Sequence, residues 1–75
     1  MKKKIIKKFL NDYFSEFEIT KEMIGSIVNM FDDYCLERYE EKIGDEDDPE
    51  DIELSVEGFF DEMYLDIECE LESWD

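Results

Sequence analysis

Residues 43–75 combine fifteen carboxylates with apolar residues and contain no Lys, Arg or His. From position 56 onward the apolar residues step by three or four, the spacing of one helix face. The preceding part of the chain carries nine acids against eight bases, so nearly all of the formal net charge of -16 lies in the C-terminal half. The part of this half from position 56 onward is therefore predicted to fold as an amphipathic helix with an acidic outer surface.

The length of the chain limits it to one small domain, which we assign to residues 1–75. With 75 residues it lies near the lower limit at which a chain buries enough apolar surface to fold alone. However, 43% of its residues are apolar and eleven are aromatic. Disordered acidic chains are much poorer in such residues, so the composition predicts a folded domain.

Two helices are predicted before the acidic segment. The first covers residues 3–18, and the second follows an N-cap at Thr20 and ends near Lys42, before Gly44. The apolar face of the first helix consists of Ile5, Ile6, Phe9, Leu10, Tyr13, Phe14 and Phe17. That of the second consists of Met23, Ile24, Ile27, Val28, Phe31, Tyr34 and Cys35.

Residues 45–51 form a predicted acidic connector, in which Pro49 prevents a continuous helix. The alternation of apolar residues over 52–56 indicates a short extended piece near 52–54 or the first turn of a helix, and we favour the extended piece. Ser55 is a suitable N-cap, with Leu54 packing on Phe59 as a hydrophobic staple.

The third predicted helix runs from Ser55 to Trp74. Its apolar face consists of Val56, Phe59, Phe60, Met63, Tyr64, Ile67, Leu71 and Trp74. Three amphipathic helices with short connections predict an all-α fold, a small antiparallel three-helix bundle. The first and third helices would then run parallel and bring the N-terminal lysines near the connector.

A helical wheel of the third helix predicts an acidic stripe beside the apolar face. The stripe consists of Glu57, Asp61, Glu68, Glu72 and Asp75, with Glu62 and Asp66 as a second row and Leu65 and Cys69 between the rows. The predicted partner-binding residues are Asp45, Asp47, Asp48, Glu50, Asp51, Glu53, Glu57, Asp61, Glu62, Leu65, Asp66, Glu68 and Glu72. A merely solvated acidic face is the alternative.

The N-terminal lysines have three interpretations. They are Lys2, Lys3, Lys4, Lys7 and Lys8. They could contact an anionic partner, neutralise the acidic connector or simply be solvated, and neutralisation of the connector is the favoured interpretation.

Several kinds of site do not fit the sequence. Asp45 and Asp47 match the start of a calcium-binding loop, but Pro49, Glu50 and Val56 occupy positions that such a loop reserves for other residues. Without histidine, and with two distant cysteines, there are too few ligands for structural zinc. We therefore expect no metal, no cofactor and no enzyme activity.

The charge and hydropathy of the chain also bear on its surroundings. A strongly acidic surface repels nucleic acid and anionic lipid, so we expect no direct binding to either. No stretch approaches the roughly 18 apolar residues of a membrane span. We expect a cytoplasmic protein with free thiols.

In size, in charge and in its base-free 43–75 segment, the chain resembles the phage-encoded inhibitors that mimic nucleic acid, the anti-CRISPR and anti-restriction proteins. The resemblance implies an inhibitor that blocks the basic DNA- or RNA-binding channel of a nuclease or defence complex in the host cytoplasm. The alternative is a small helical interaction module, such as a homodimer, whose acidity serves solubility and partner choice.

Overall fold

The computed structural model describes residues 2–40 and 48–74, and this part of the chain contains four helices and no strand. They are α1 (Lys2–Tyr13), α2 (Lys21–Tyr39), α3 (Pro49–Glu62) and α4 (Tyr64–Glu72). The all-α prediction is confirmed. The count of three helices is wrong, because the predicted third helix is divided into α3 and α4.

The first helix is shorter than predicted and ends at Tyr13 instead of residue 18. The Phe14 N–H still bonds to the Leu10 carbonyl, and the Phe17 N–H closes a turn on the Phe14 carbonyl at 3.0 Å. Phe14 is fully buried and Phe17 is partly buried. These two residues are apolar because the turn that follows α1 packs on the core.

The second helix begins as predicted. The Met23 N–H donates to Thr20 Oγ1 at 3.2 Å, which confirms the N-cap. The helix ends at Tyr39, before the predicted end at Lys42, and Glu40 adopts a left-handed conformation with φ of 60°. The Glu40 N–H bonds to the Leu36 carbonyl and closes the last turn. The predicted stop at Gly44 lies outside the described residues.

The structure around the start of α3 corrects three predictions. Asp48 is the N-cap, accepting a hydrogen bond from the Glu50 N–H at 3.1 Å, and Pro49 occupies the first turn, where its missing N–H has no cost. The segment near 52–54 is therefore helical instead of extended, and Ser55 is not an N-cap. Leu54 is 67% exposed, so the predicted staple with Phe59 is also wrong.

Met63 separates α3 from α4 and is the only residue between them. Its backbone angles are φ −106° and ψ 18°; its N–H bonds to the Phe59 carbonyl, and its carbonyl accepts from the Ile67 N–H, both at 2.8 Å. Hydrogen bonding thus continues across the break while the helix changes direction. The sequence has neither Pro nor Gly at this position, and so gives no local signal for the break.

The core draws on every helix. Its buried members are Ile6, Phe9, Leu10, Phe14, Met23, Ile24, Ile27, Phe31, Tyr34, Cys35, Ile52, Val56, Phe59, Phe60, Ile67 and Leu71. Trp74, predicted to be in the core, is 44% exposed beyond the end of α4. Tyr64 and Tyr13 lie at the core's edge, although Tyr64 stacks on Phe14 at 4.8 Å between ring centroids.

Contacts between aromatic rings join the helices to one another. Phe9 on α1 contacts Phe60 on α3 at 5.5 Å, and Phe14, in the turn after α1, stacks on Tyr64 at the start of α4. On α2, Phe31 contacts Phe59 at 5.4 Å. Among the described residues, no helix is long and apolar enough to cross a membrane.

Two helical glycines offer a direct test of these assignments. A Cβ at Gly25 would meet nothing within 4 Å, and one at Gly58 would meet only the Tyr34 hydroxyl at 3.8 Å, an ordinary contact. We therefore expect Gly25→Ala and Gly58→Ala each to raise the free energy of unfolding by about 0.5–1 kcal/mol, because alanine loses less backbone entropy in a helix. Urea unfolding followed by circular dichroism measures this; destabilisation by Gly58→Ala would contradict the packing of Tyr34 on α3.

Candidate protein-binding surface

Four carboxylates share one side of α3, and we call them the acidic stripe: Glu50, Glu53, Glu57 and Asp61. All four residues are exposed. At 100° per residue they fall within about 80° of one another, on the side of the helix away from Ile52 and Phe59. The start of the helix at Pro49 creates this surface, because it places Glu50 and Glu53 in the same helix as Glu57.

No cation neutralises the acidic stripe within the part of the chain that the structure describes. The ion pairs found there join other acids to bases: Lys2 Nζ lies 2.7 Å from Asp32 Oδ1, and Arg38 Nη2 lies 2.8 Å from Glu62 Oε1. The stripe carboxylates therefore face solvent and repel one another, most directly at the four-residue spacings Glu53–Glu57 and Glu57–Asp61.

Apolar residues flank the stripe on both sides. Leu54 lines a surface depression together with Glu50, Glu53 and Glu57. On the other side Tyr13, 37% exposed, lies against Phe60 with 5.4 Å between ring centroids. Partial burial raises the pKa of the Tyr13 phenol, and the nearby carboxylates of Asp61, Glu57 and Asp12 raise it further. Tyr13 therefore lies within the electrostatic field of the stripe.

The predicted site residues of the connector have separate roles. Asp45 and Asp47 lie outside the described residues. Asp48 caps α3, and Glu50 and Asp51 lie in its first turn, where negative charge is favourable at a helix N-terminus. Part of the predicted binding segment therefore also stabilises the start of α3.

Glu62 belongs to a polar cluster between α2 and α3. Arg38 Nη1 donates to Glu62 Oε2 at 2.9 Å, which together with the Nη2 contact makes the pair bidentate. The buried Tyr34 hydroxyl also bonds to Glu62; burial, followed by this hydrogen bond and the Glu62 charge, raises the pKa of Tyr34 to about 12. Glu62, a predicted partner-binding residue, is therefore already paired within the fold.

The helix break divides the predicted second half of the site from the first. A single stripe from Glu57 to Glu72 requires one continuous helix, and Met63 interrupts it. On α4, Asp66 and Glu72 are exposed, whereas Glu68 is partly buried. Asp75 lies outside the described residues.

The outer face of α4 has an apolar portion. Leu65 is 71% exposed, and Cys69 is exposed one turn later, whereas the other cysteine, Cys35, is buried. The sequence placed Leu65 and Cys69 away from the core, and the structure confirms this. Glu70, absent from the predicted site, accepts a hydrogen bond at 2.6 Å from the Ser26 hydroxyl and ties α4 to α2.

The N-terminal lysines do not act as one group. Lys2 pairs with Asp32 on α2, so at least one of the lysines forms an ion pair within the fold. Lys4, Lys7 and Lys8 line a shallow depression on the outer side of α1 with Asn11 and Asp12. Within the described residues no carboxylate forms an ion pair with these three lysines.

Side chains that could ligate a metal ion do not cluster in the described residues. No group of three or more His, Cys, Asp or Glu side chains converges there in a way that could hold a metal ion. None of their buried side-chain nitrogen or oxygen atoms lacks a hydrogen-bond partner. What they present is an exposed row of carboxylates with apolar residues at its edges.

Sequence reasoning missed the two apolar edges of this surface. Leu54 was assigned to a staple and Tyr13 to the core. The signal for Leu54 was present, because a helix that starts at Pro49 places position 54 opposite Ile52 and Phe59. The signal for Tyr13 was absent, because its exposure depends on where α3 crosses α1.

The repulsion within the acidic surface predicts that salt stabilises the fold. Screening shortens the Debye length from roughly 30 Å at 0.01 M salt to roughly 3 Å at 1 M. We expect sodium chloride to raise the free energy of unfolding by about 1–2 kcal/mol, the sum of several like-charge pairs on helices. Thermal unfolding of the protein and of a control with Glu53, Glu57 and Asp61 changed to Gln measures the effect, which should be smaller in the control. A fall in stability with salt would contradict the prediction.

The surface of α3 is the basis for a functional proposal. Comparison with known proteins finds no family model that matches the chain, no similar curated protein and no similar solved structure.

Proposed function

We propose that the protein is an acidic inhibitor that occupies the nucleic-acid-binding channel of a basic protein, such as a nuclease or a defence complex. The acidic stripe supplies the phosphate surrogates. The observation that carries the proposal is the row of four exposed carboxylates on one side of α3, with no cation paired to them in the described part of the chain.

The charge density of α3 supports mimicry of a nucleic-acid strand. Its 14 residues include six carboxylates. At 1.5 Å per residue the helix is about 21 Å long, which gives one carboxylate per roughly 3.5 Å. One strand of B-DNA carries one phosphate per roughly 3.4 Å along its axis. Four of the six carboxylates belong to the stripe, whereas Asp51 lies on another side of the helix and Glu62 is paired with Arg38. The stripe by itself therefore presents one carboxylate per roughly 5 Å in one direction.

The energetics of the stripe also favour a binding role. Each like-charge pair at three- or four-residue spacing destabilises a helix by about 0.2–0.5 kcal/mol. Lysines placed on this side of α3 would have removed the repulsion and kept the surface hydrophilic. A basic channel would supply the missing countercharges, and its field would accelerate association in a salt-dependent manner.

The proposed activity is binding without catalysis, metal or cofactor. The partner is a protein with a positive groove, and the charge of -16 disfavours direct contact with nucleic acid or anionic lipid. A channel that binds DNA or RNA inside a host cell places the inhibitor in the same compartment, the cytoplasm.

Capture from a bacterial lysate tests the proposal. The immobilised protein should retain basic nucleic-acid-binding proteins at low salt, and added duplex DNA should release them by competition. A variant with Glu53, Glu57 and Asp61 changed to Lys should lose this retention. The matched control changes Glu16, Glu18 and Asp33 to Lys; these are exposed acids outside α3 and give the same net charge.

The two variants show whether retention of the partner requires the stripe carboxylates or only the net negative charge. If the stripe variant and the control lose retention equally, net charge alone explains binding and the mimicry proposal fails. If duplex DNA does not release the captured protein, the contact does not lie in a nucleic-acid channel, and the proposal fails as well.

The second candidate function is a homodimeric assembly module, which the outer face of α4 favours. Leu65 and Cys69 are exposed at a four-residue spacing, and Trp74 is exposed just beyond the helix. A dimer would bury this surface without bringing the two acidic stripes together. Sedimentation equilibrium distinguishes the functions: a dimer that Leu65→Ala dissociates supports the assembly module.

A further inference from the structure

Leu54 is an exposed leucine among carboxylates. It is 67% exposed and shares its surface depression with Glu50, Glu53 and Glu57. A surface that only imitates phosphates needs no apolar side chain. An exposed leucine also lacks the stabilisation that burial of its side chain would give the fold. Its position on the side of α3 opposite the core means that no other part of the described fold covers it.

Tyr13 supplies a second apolar feature on the other side of the stripe. Its ring is held by Phe9 at 5.7 Å and by Phe60 at 5.4 Å, so its orientation is fixed by the core while part of it faces solvent. An aromatic ring beside carboxylates is a favourable place for an Arg or Lys side chain, which can lie on the ring and still reach a carboxylate.

We propose that the acidic stripe binds a basic amphipathic helix that carries an apolar residue among its Arg and Lys side chains. The apolar residue packs on Leu54, the cations meet Glu50, Glu53 and Glu57, and one of them lies over Tyr13. This inference rests on the proposed function and narrows the partner from any basic channel to one lined by such a helix.

The dimensions and charge of the stripe fit this occupant. From Glu50 to Asp61 the stripe is about 16 Å long, which matches three turns of a partner helix. Helices that dock in this way use residues three and four positions apart. A second copy of this chain fits less well, because it would place two acidic stripes against each other.

Two synthetic helical peptides of equal length and charge test the inference. Both carry lysines, but one has leucines along its apolar face and the other has alanines. Fluorescence anisotropy gives their affinities for the protein, for Leu54→Ala and for the matched control Leu65→Ala, which removes a leucine of similar exposure from α4. We expect the leucine peptide to bind more tightly, and Leu54→Ala to weaken it about fivefold with no effect on the alanine peptide. Leu65→Ala should change neither affinity.

Several outcomes would overturn the inference. If the two peptides bind equally and Leu54→Ala has no effect, the surface recognises charge alone; the proposed function then survives without this refinement. If Leu65→Ala weakens the leucine peptide instead, the apolar contact lies on α4. If the protein self-associates and Leu54→Ala prevents it, the occupant is a second copy. If neither peptide binds at low salt, the proposed function fails together with the inference.

Discussion

Phe59→Ala is expected to destabilise the protein by about 3–5 kcal/mol, the usual cost of removing a fully buried phenylalanine side chain. Phe59 has no exposed surface, and its ring lies within 5.5 Å of the rings of Phe31, Tyr34 and Phe60. It is thus the residue through which α3 is held against α2. Domains of this length have only about 4–11 kcal/mol of stability, so the substitution should remove from about a quarter to all of it.

Urea unfolding followed by circular dichroism measures the loss. The matched control is Leu54→Ala on the same helix, which removes an exposed side chain and should change stability by less than about 0.5 kcal/mol. Similar losses in the two variants would mean that α3 does not pack through Phe59 and would contradict the helical register described above.

We expect alkaline pH to lower the free energy of unfolding because Tyr34 has a raised pKa in the folded protein. Its pKa is raised from the ordinary value of 10.0 to about 12, first by burial and then by the hydrogen bond to Glu62. Between these values Tyr34 ionises in the unfolded chain but stays protonated in the folded one, so unfolding releases a proton and stability falls as pH rises. At 1.36 kcal/mol per pKa unit the loss is on the order of 2 kcal/mol.

Tyr34→Phe isolates this contribution from those of other titrating groups. The variant should lose about 1 kcal/mol near neutral pH with the hydrogen bond to Glu62. Between about pH 10 and about pH 12 its deficit relative to the wild-type protein should disappear and then reverse, because only the wild-type protein loses stability by ionisation of a phenol at this position. Tyr39→Phe, which removes an exposed hydroxyl, is the matched control near neutral pH. A deficit that stays constant with pH would contradict the assignment.

The core could be predicted from the sequence because burial follows periodicity. Of the seven residues predicted for the apolar face of α2, six are buried and Val28 is partly buried. Thr20 was also predictable, since an N-cap depends on a side chain and a backbone N–H only three residues away. Local interactions of this kind are present in the sequence before any tertiary structure forms.

The sequence around the start of α3 fits two local patterns, an extended strand and a helix. Residues 52, 54 and 56 alternate like a strand, but the helix is favoured by Asp48 as a cap, by Pro49 and by the acids of the first turn. The burial of both Ile52 and Val56 agrees with a helix, because these residues lie four positions apart. A helix that begins at Pro49 places Glu50 and Glu53 on the same side as Glu57, which defines the acidic stripe.

The break at Met63 and the pairing of Glu62 with Arg38 could not be predicted locally. Both depend on where α2 crosses the end of α3, 24 positions away along the chain for the Arg38–Glu62 pair. The same is true of the hydrogen bond between Ser26 and Glu70. Of the predicted site residues, those on α3 therefore form a continuous row, whereas those on α4 lie beyond the break at Met63.

The contrast between the two thiols makes the native protein ready for site-specific labelling. Cys69 is exposed on the outer face of α4, whereas Cys35 is fully buried. A maleimide dye should therefore attach to Cys69 alone under native conditions, without any engineered cysteine. The reagent reaches Cys35 when the core opens, so the rate of the second modification reports how often the folded molecule unfolds.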